Sequence, residues 1–208
     1  MQEPRKQNTK TALLRAAERL FAEKGLGGVT SKDILRAAGA RNETAIQYHF
    51  GDVQTLIKEV FYDRFKEIER TRQQRLDAVG FEGDEDEFQA LIAASIAPLF
   101  ESCLNETGRL YARFCIQFAN DPTFNIPELM QDVDARSVFS LRERLVVLLG
   151  HLPPKVLLTR LRLGFSISLI QVADFARRVE QGHAPPLEDA IGEATAALCG
   201  YLRAKPMA

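Results

Sequence analysis

ARNETAIQYHF, residues 40–50, reads as a short helix with more polar side chains than packing requires. Arg41, Asn42, Glu43, Thr44 and Gln47 lead into Tyr48-His49-Phe50, and Gly51 follows. Only Ala45, Ile46 and Phe50 offer apolar anchorage, a narrower stripe than a core helix carries. The polar groups therefore point to a role outside the core.

The preceding residues set the context. A first helix is expected from about Thr9 to Lys24, with Leu13, Ala16, Ala17, Leu20 and Phe21 as its stripe and Gly25 as its stop. GLGG, residues 25–28, follows as a loop; it lacks the third glycine and the preceding strand of a phosphate cradle. A second helix begins cleanly. Thr30 can cap it, Asp33 sits where a capping box places its acid, and Val29 and Ile34 can form a hydrophobic staple. Ile34, Leu35, Ala37 and Ala38 are expected to face inward, and Gly39 ends the helix. The third helix is expected from Asn42 to Tyr48. Asp52 then caps a long helix to about Val79, with Leu56, Val60, Phe61, Phe65 and Ile68 buried.

Three short helices, the second and third joined by a glycine-containing turn, fit a helix-turn-helix unit. Its last helix lies in the major groove, and its outward side chains must donate and accept hydrogen bonds at base edges. Arg41, Asn42, Glu43, Thr44 and Gln47 have that chemistry. Tyr48 and His49, near the helix end, suit phosphate oxygens, and Thr30, Ser31 and Lys32 form a second phosphate site at the start of the second helix. Each residue alone also has a plainer reading. Glu43 suits a solvated face, His49 between two aromatics suits packing, and Thr30 with Asp33 caps a helix with or without DNA. The joint order of the elements favours the DNA reading.

Charge agrees with this division. The 208 residues carry a net charge of −1, but residues 1–50 hold nine Lys/Arg against five Asp/Glu, and the remainder is acidic. A basic head on an acidic body suits an anionic partner for the head. Three cysteines, Cys103, Cys115 and Cys199, share no short spacing and read as small buried side chains in a reducing compartment. MQEPRKQNTK has no apolar core for a signal peptide. The longest uncharged apolar run, Leu163 to Ala173, is too short to span a bilayer. The expected location is the cytoplasm, with no membrane partner.

Beyond residue 79 the pattern stays helical. GFEGDEDE, residues 80–87, is a Gly/acid linker, followed by helices near 88–104 and 107–119. Pro127 is expected to open a helix reaching Leu149, and further helices near 154–180 and 187–203 follow. The fold class is therefore all-α: a helix-turn-helix domain over 1–52 and a larger helical domain over 53–208.

On these residues the chain resembles the DNA-binding domain of the tetracycline-repressor (TetR) family. The resemblance runs over residues 10–61, through LLRAAERLFAEKGLGGVTSKDILRAAG, then YHF, then an acidic cap and the LI and VF pairs. It implies a dimeric regulator, usually a repressor, that binds palindromic double-stranded operator DNA and is released by a small-molecule effector held in the larger domain. The sequence departs from the family in two places. Eight residues separate Gly39 from Tyr48, one more than the common spacing, and Arg41 stands where a small apolar residue is common. Val53 stands where many members carry a phosphate-binding lysine, a contact that Lys58 can partly replace.

A sensor needs a pocket between helices. RLYARFCIQFAN, residues 109–120, sets polar groups into an apolar run, and Tyr111, Arg113, Phe114, Gln117, Phe118 and His151 are its candidate effector residues. Arg113 and Gln117 can equally face water, and His151 can be a loop histidine. The 154–180 helix is apolar around most of its circumference, and with the 187–203 helix it suits a two-fold interface in a homodimer. Enzyme motifs are missing: there is no HExxH, CxxC or Walker loop, GFSIS lacks the second glycine of a nucleophile elbow, and the three histidines are scattered. No cofactor or metal is expected. The competing expectation is a helical protein-binding adaptor without DNA affinity.

Overall fold

The computed structural model describes residues 3–206, in which ten α-helices follow one another. They are α1 (Glu3–Lys24), α2 (Ser31–Ala37), α3 (Ala45–Phe50), α4 (Val53–Asp77), α5 (Glu85–Ser102), α6 (Glu106–Asn120), α7 (Ile126–Leu129), α8 (Arg136–Leu148), α9 (Pro154–Glu180) and α10 (Leu187–Arg203). A single 3-10 turn, Leu26–Gly28, separates α1 from α2. The first three helices lie within the expected N-terminal domain and the rest within the expected larger one. One contiguous apolar core runs through both, from Leu13 and Phe21 in α1 to Leu198 and Leu202 in α10.

The long α4 organises the packing. Asp52 caps it by accepting from the Thr55 N–H at 2.6 Å, and Leu56, Val60, Phe61, Phe65 and Ile68 are buried along one side. It touches α1 and α3 at its start and α5 and α8 farther along. Two buried ions fix that second half. Arg72 donates from Nε to the Ser95 carbonyl at 3.0 Å. Glu69 accepts from the Ser137 backbone N–H at 2.6 Å and from its hydroxyl at 2.5 Å.

Glu69 also explains a departure from the expected helix between Pro127 and Leu149. The chain instead forms the one-turn α7 and then restarts as α8 at Arg136. Ser137 lies in the first turn of α8, where backbone N–H groups lack helical acceptors. A carboxylate from α4 supplies one, so the break lets α8 begin against α4. Arg144 in α8 then reaches the far end of α4. It donates to the carbonyls of Leu76 (3.3 Å), Val79 (3.0 Å) and Gly80 and pairs with Glu87 of α5 at 2.5 Å.

At the α5–α6 corner the backbones nearly touch. A Cβ added to Gly108 would lie 1.9 Å from the Ser102 carbonyl oxygen. On the opposite side α10 packs on α5 and α9, and Arg203 stacks on the Phe88 ring at 4.0 Å. By length and composition α9 is apolar enough to cross a membrane. It is two-faced in this fold. Leu157, Gly164, Leu169, Val172 and Phe175 are buried, while Leu158, Leu163, Phe165 and Ile170 are exposed.

Candidate nucleic-acid interface

The second helix starts as its sequence dictates. The Thr30 hydroxyl accepts from the Asp33 N–H at 3.2 Å, and the Thr30 N–H donates to the Asp33 carboxylate at 3.0 Å. That carboxylate lies below its usual range because the Thr30 hydroxyl and N–H both donate to it. The Thr30 side chain is thus spent on the cap, while Ser31 and Lys32 are exposed beside it. Ile34 and Leu35 are buried, whereas Ala37, expected inward, is exposed.

Two successive turns then set the third helix. Gly39 takes φ 63°, its N–H bonds the Arg36 carbonyl at 3.1 Å and the Ala40 N–H bonds the Leu35 carbonyl at 2.9 Å. That is a Schellman stop, and its left-handed residue suits glycine. Next, the Asn42 side chain accepts from the Thr44 N–H at 3.0 Å and from its hydroxyl at 2.8 Å. An Asx turn of this kind competes with helix. It moves the start of α3 from the expected Asn42 to Ala45, and the helix runs on past Tyr48 to Phe50, where Gly51 at φ 84° closes it.

The candidate reading face is consequently shorter than expected. Ala45, Ile46 and Phe50 are buried and anchor α3. Thr44, Gln47 and Tyr48 are exposed and lie together at helical spacing, Tyr48 at 62%. Arg41, Asn42 and Glu43 are exposed on the turn before the helix. His49 is half-buried, with its ring edge-on to Tyr48 at 4.9 Å. Lys58 is half-buried on α4, and Asp52, held below the usual range mainly by the Thr55 N–H, caps the same helix. Lys10 lies over the Phe50 ring at 5.4 Å and so supports α3 from α1.

The sequence reading missed the joint behind this head. Glu18 of α1 is 2% exposed, yet it binds Arg64 of α4 through two hydrogen bonds of 2.9 and 3.1 Å and Arg15 at 2.9 Å. Arg15 also reaches Asp63. Glu18 stands four residues after Leu14 and three before Phe21, on the apolar stripe, and that register was the available signal.

The candidate effector residues do not gather around one cavity. Phe114 and Phe118 are buried in an aromatic stack with Phe61. The Tyr111 hydroxyl donates to the Phe61 carbonyl at 3.2 Å, and burial pushes its ionisation well above the usual range. Arg113 pairs with Glu180 at 2.9 Å. Gln117 donates to the Phe21 carbonyl at 3.2 Å and so ties α6 to the end of α1. His151 is exposed in the turn between α8 and α9. Tyr111 lines a cleft of about 490 Å³ between α4, α5 and α6, and Gln117 a separate one of about 350 Å³ between the end of α1 and the end of α6.

Residues 13–60 match the model of the family described as bacterial regulatory proteins, tetR family. No curated protein matches the chain. Solved structures share its fold. A TetR family transcription regulator from Marinobacter aquaeolei VT8 superposes with TM-score 0.63 at 17% identity, over 96% of this chain and 97% of that one. NalD of Pseudomonas aeruginosa, the secondary repressor of the MexAB-OprM multidrug efflux pump, gives TM-score 0.57 at 20% identity over 93% and 96%. PfmR of Thermus thermophilus, a TetR family transcriptional regulator, gives TM-score 0.51 at 17% identity over 94% and 96%.

Proposed function

We propose that the chain, whose residues 13–60 match the tetR family and whose fold is shared with TetR family regulators, is a cytoplasmic repressor. In this reading it binds palindromic operator DNA as a homodimer and leaves it when a small molecule occupies the larger domain. The observation that carries the reading is the α3 surface. Three exposed side chains able to read base edges or phosphates, Thr44, Gln47 and Tyr48, project from a helix pinned by three buried ones.

Gln47 offers an amide to adenine, and Thr44 a methyl to thymine. Tyr48 and His49 meet phosphates, as do Ser31, Lys32 and Lys58, while Thr30, engaged by side chain and backbone in the cap, holds the start of α2 in place for them. Arg41, Asn42 and Glu43 lie at the groove edge, since the Asx turn holds them off the helix. Residues 1–52 form the reading head and 53–208 the sensing and dimerising body.

The dimer reading is supported by the exposed apolar side of α9 and by α10, whose Gly192, Ala196 and Gly200 recur every four residues and are exposed. Small residues let helices approach closely, and two-fold pairing of α9 and α10 would cover the exposed leucines and phenylalanine. It also gives two heads for two half-sites. Effector binding would favour a second arrangement of α4, shifting the heads off the half-site spacing.

The test is a binding titration of the purified chain against DNA enriched from a random pool and against the DNA upstream of its own gene. A repressor of this kind gives sequence-preferring binding whose affinity falls steeply with salt. Binding without sequence preference, or none, refutes the proposal and leaves a helical adaptor as the reading.

A further inference from the structure

Phe81, between α4 and α5, is the most exposed large apolar side chain among the described residues, at 83%, yet it is held in one place. Its ring lies 3.9 Å from the guanidinium carbon of Arg144. That guanidinium is itself fixed by the Leu76, Val79 and Gly80 carbonyls and by Glu87. On the other side of Phe81 the Gly83 N–H donates to Glu87 at 2.6 Å. Val147, one turn along α8 from Arg144, is 80% exposed. Helical spacing puts Glu143, Phe139 and Val146 next around the same side of α8, and all three are exposed. Phe81 adjoins that side through Arg144. Acids border the patch, with Glu82 and Asp86 exposed on the loop and on the start of α5. Of the neighbouring bases, Arg203 is paired with Glu85 and Arg136 with Asp134, and Arg142 stands at the far edge.

We propose that this face docks a partner protein through a basic amphipathic helix. The apolar side of that helix covers Phe81 and Val147, and its lysines or arginines meet Glu82, Asp86 and Glu143. A contiguous exposed apolar surface marks a contact site, and aromatic side chains are enriched at the centres of interfaces. Phe81 is already fixed in orientation, so it gives up little freedom on binding. The acids set the sign of the partner. They repel nucleic acid and anionic membranes, and a second copy laid face to face would bring Glu82 and Glu143 toward their own counterparts. The position of the face leaves α3 clear. Phe81 lies past the C-terminal end of α4, whereas α3 packs on its start, and the 25 residues of α4 span roughly 37 Å. A partner docked here is carried at the far end of the chain from the reading head. The docking face is the same whether or not α3 reads bases.

The test uses the intact chain and a displayed library of random peptides long enough for a few helical turns. The library is selected on the wild type and depleted on Phe81→Ser, with Val147→Ser in its place should Phe81→Ser fail to fold. Surviving peptides should carry net positive charge and apolar residues three and four apart. Made synthetically, they should bind the wild type with an affinity that falls with salt. Binding should weaken about tenfold in Phe81→Ser and in the Glu82→Lys, Glu143→Lys double variant. Glu188→Lys, at the opposite end of α10 from Arg203, should leave it unchanged. Survivors that are neutral or acidic, or no survivor dependent on Phe81, overturn the proposal. So does an equal loss with Glu188→Lys, which would mean general attraction to an acidic body. Sedimentation of the wild type and Phe81→Ser without peptide completes the test. The two should sediment alike, and an assembly that Phe81→Ser dissolves would make a second copy the occupant and overturn the proposal.

Discussion

Arg64 on α4 grips Glu18 on α1 with two hydrogen bonds, 2.9 and 3.1 Å long, across a sequence gap of 46 residues. Because Glu18 is 2% exposed, removing its partner strands a charge that water cannot reach. Arg64→Met should lower stability by about 2 kcal/mol in urea unfolding, somewhat below the ~3–5 kcal/mol typical of a broken buried pair because Arg15 remains. Arg64→Met, Glu18→Leu together should recover most of that loss. A double variant as unstable as the single would show that the pair is not what holds α1 to α4.

Gln47→Ala tests the reading face. Gln47 is exposed and its neighbours Ala45 and Ile46 carry the packing, so the melting temperature should hold. Discrimination at one operator position should fall by ~1–3 kcal/mol, read by comparing single-base variants of the enriched site.

Lys32→Ala acts on the phosphates, not the bases. It should weaken all DNA sequences alike and reduce the slope of log Kd against log salt by about one, since one fewer counterion is released. An unchanged slope would remove Lys32 from the interface.

Phe165→Glu places a carboxylate on the exposed apolar side of α9, where Phe165 is 42% exposed. Sedimentation should show a dimer turned into a folded monomer, with DNA affinity lost while the helical circular dichroism signal is kept. A dimer that persists would place the two-fold surface elsewhere.

Burial pushes the Cys103 and Cys115 thiols up to about 12. Unfolded thiols ionise near ~8.5. Between those values the unfolded chain has released its protons while the folded one keeps them. The contribution of these thiols to stability is therefore full below about pH 8.5 and is lost as the pH rises toward about 12. Unfolding midpoints should fall across that window, and Cys115→Ala, Cys103→Ala should flatten the fall. At about pH 8, below that window, native protein should resist a neutral thiol reagent that labels it readily in urea.

Much of the fold is legible from local chemistry. Thr30 with Asp33, Gly39, Asp52 and the α4 stripe are each decided by neighbours a few residues away, and the structure places them as their sequence requires. The bounds of α9 and α10 follow from Pro154 and from the apolar runs. The departures have a common cause. The helix break after α7 depends on Glu69, 68 residues from its partner Ser137, and a buried acceptor at that distance leaves no local trace. The late start of α3 turns on whether Asn42 caps a helix or forms an Asx turn, two uses of one side chain. The polar groups of α6 suggest one pocket because they share a helix. They instead serve separate tasks, Gln117 at the end of α1 and Arg113 at Glu180.

The contacts of α1 bear on how the chain can be re-used. That helix carries the head, yet it packs on α4 and α6 as well as on α2, and Gln117 fastens its end to α6. The head is not a bead on a string. Grafting residues 1–52 onto a foreign body would uncover Phe21, which meets Phe114 of α6, and strand Glu18. A functional chimera has to import the first half of α4 with its arginine, and a matching α6, or rebuild that seam. On the proposed reading, operator choice is altered by substitutions on α3 far more easily than by exchange of the whole head.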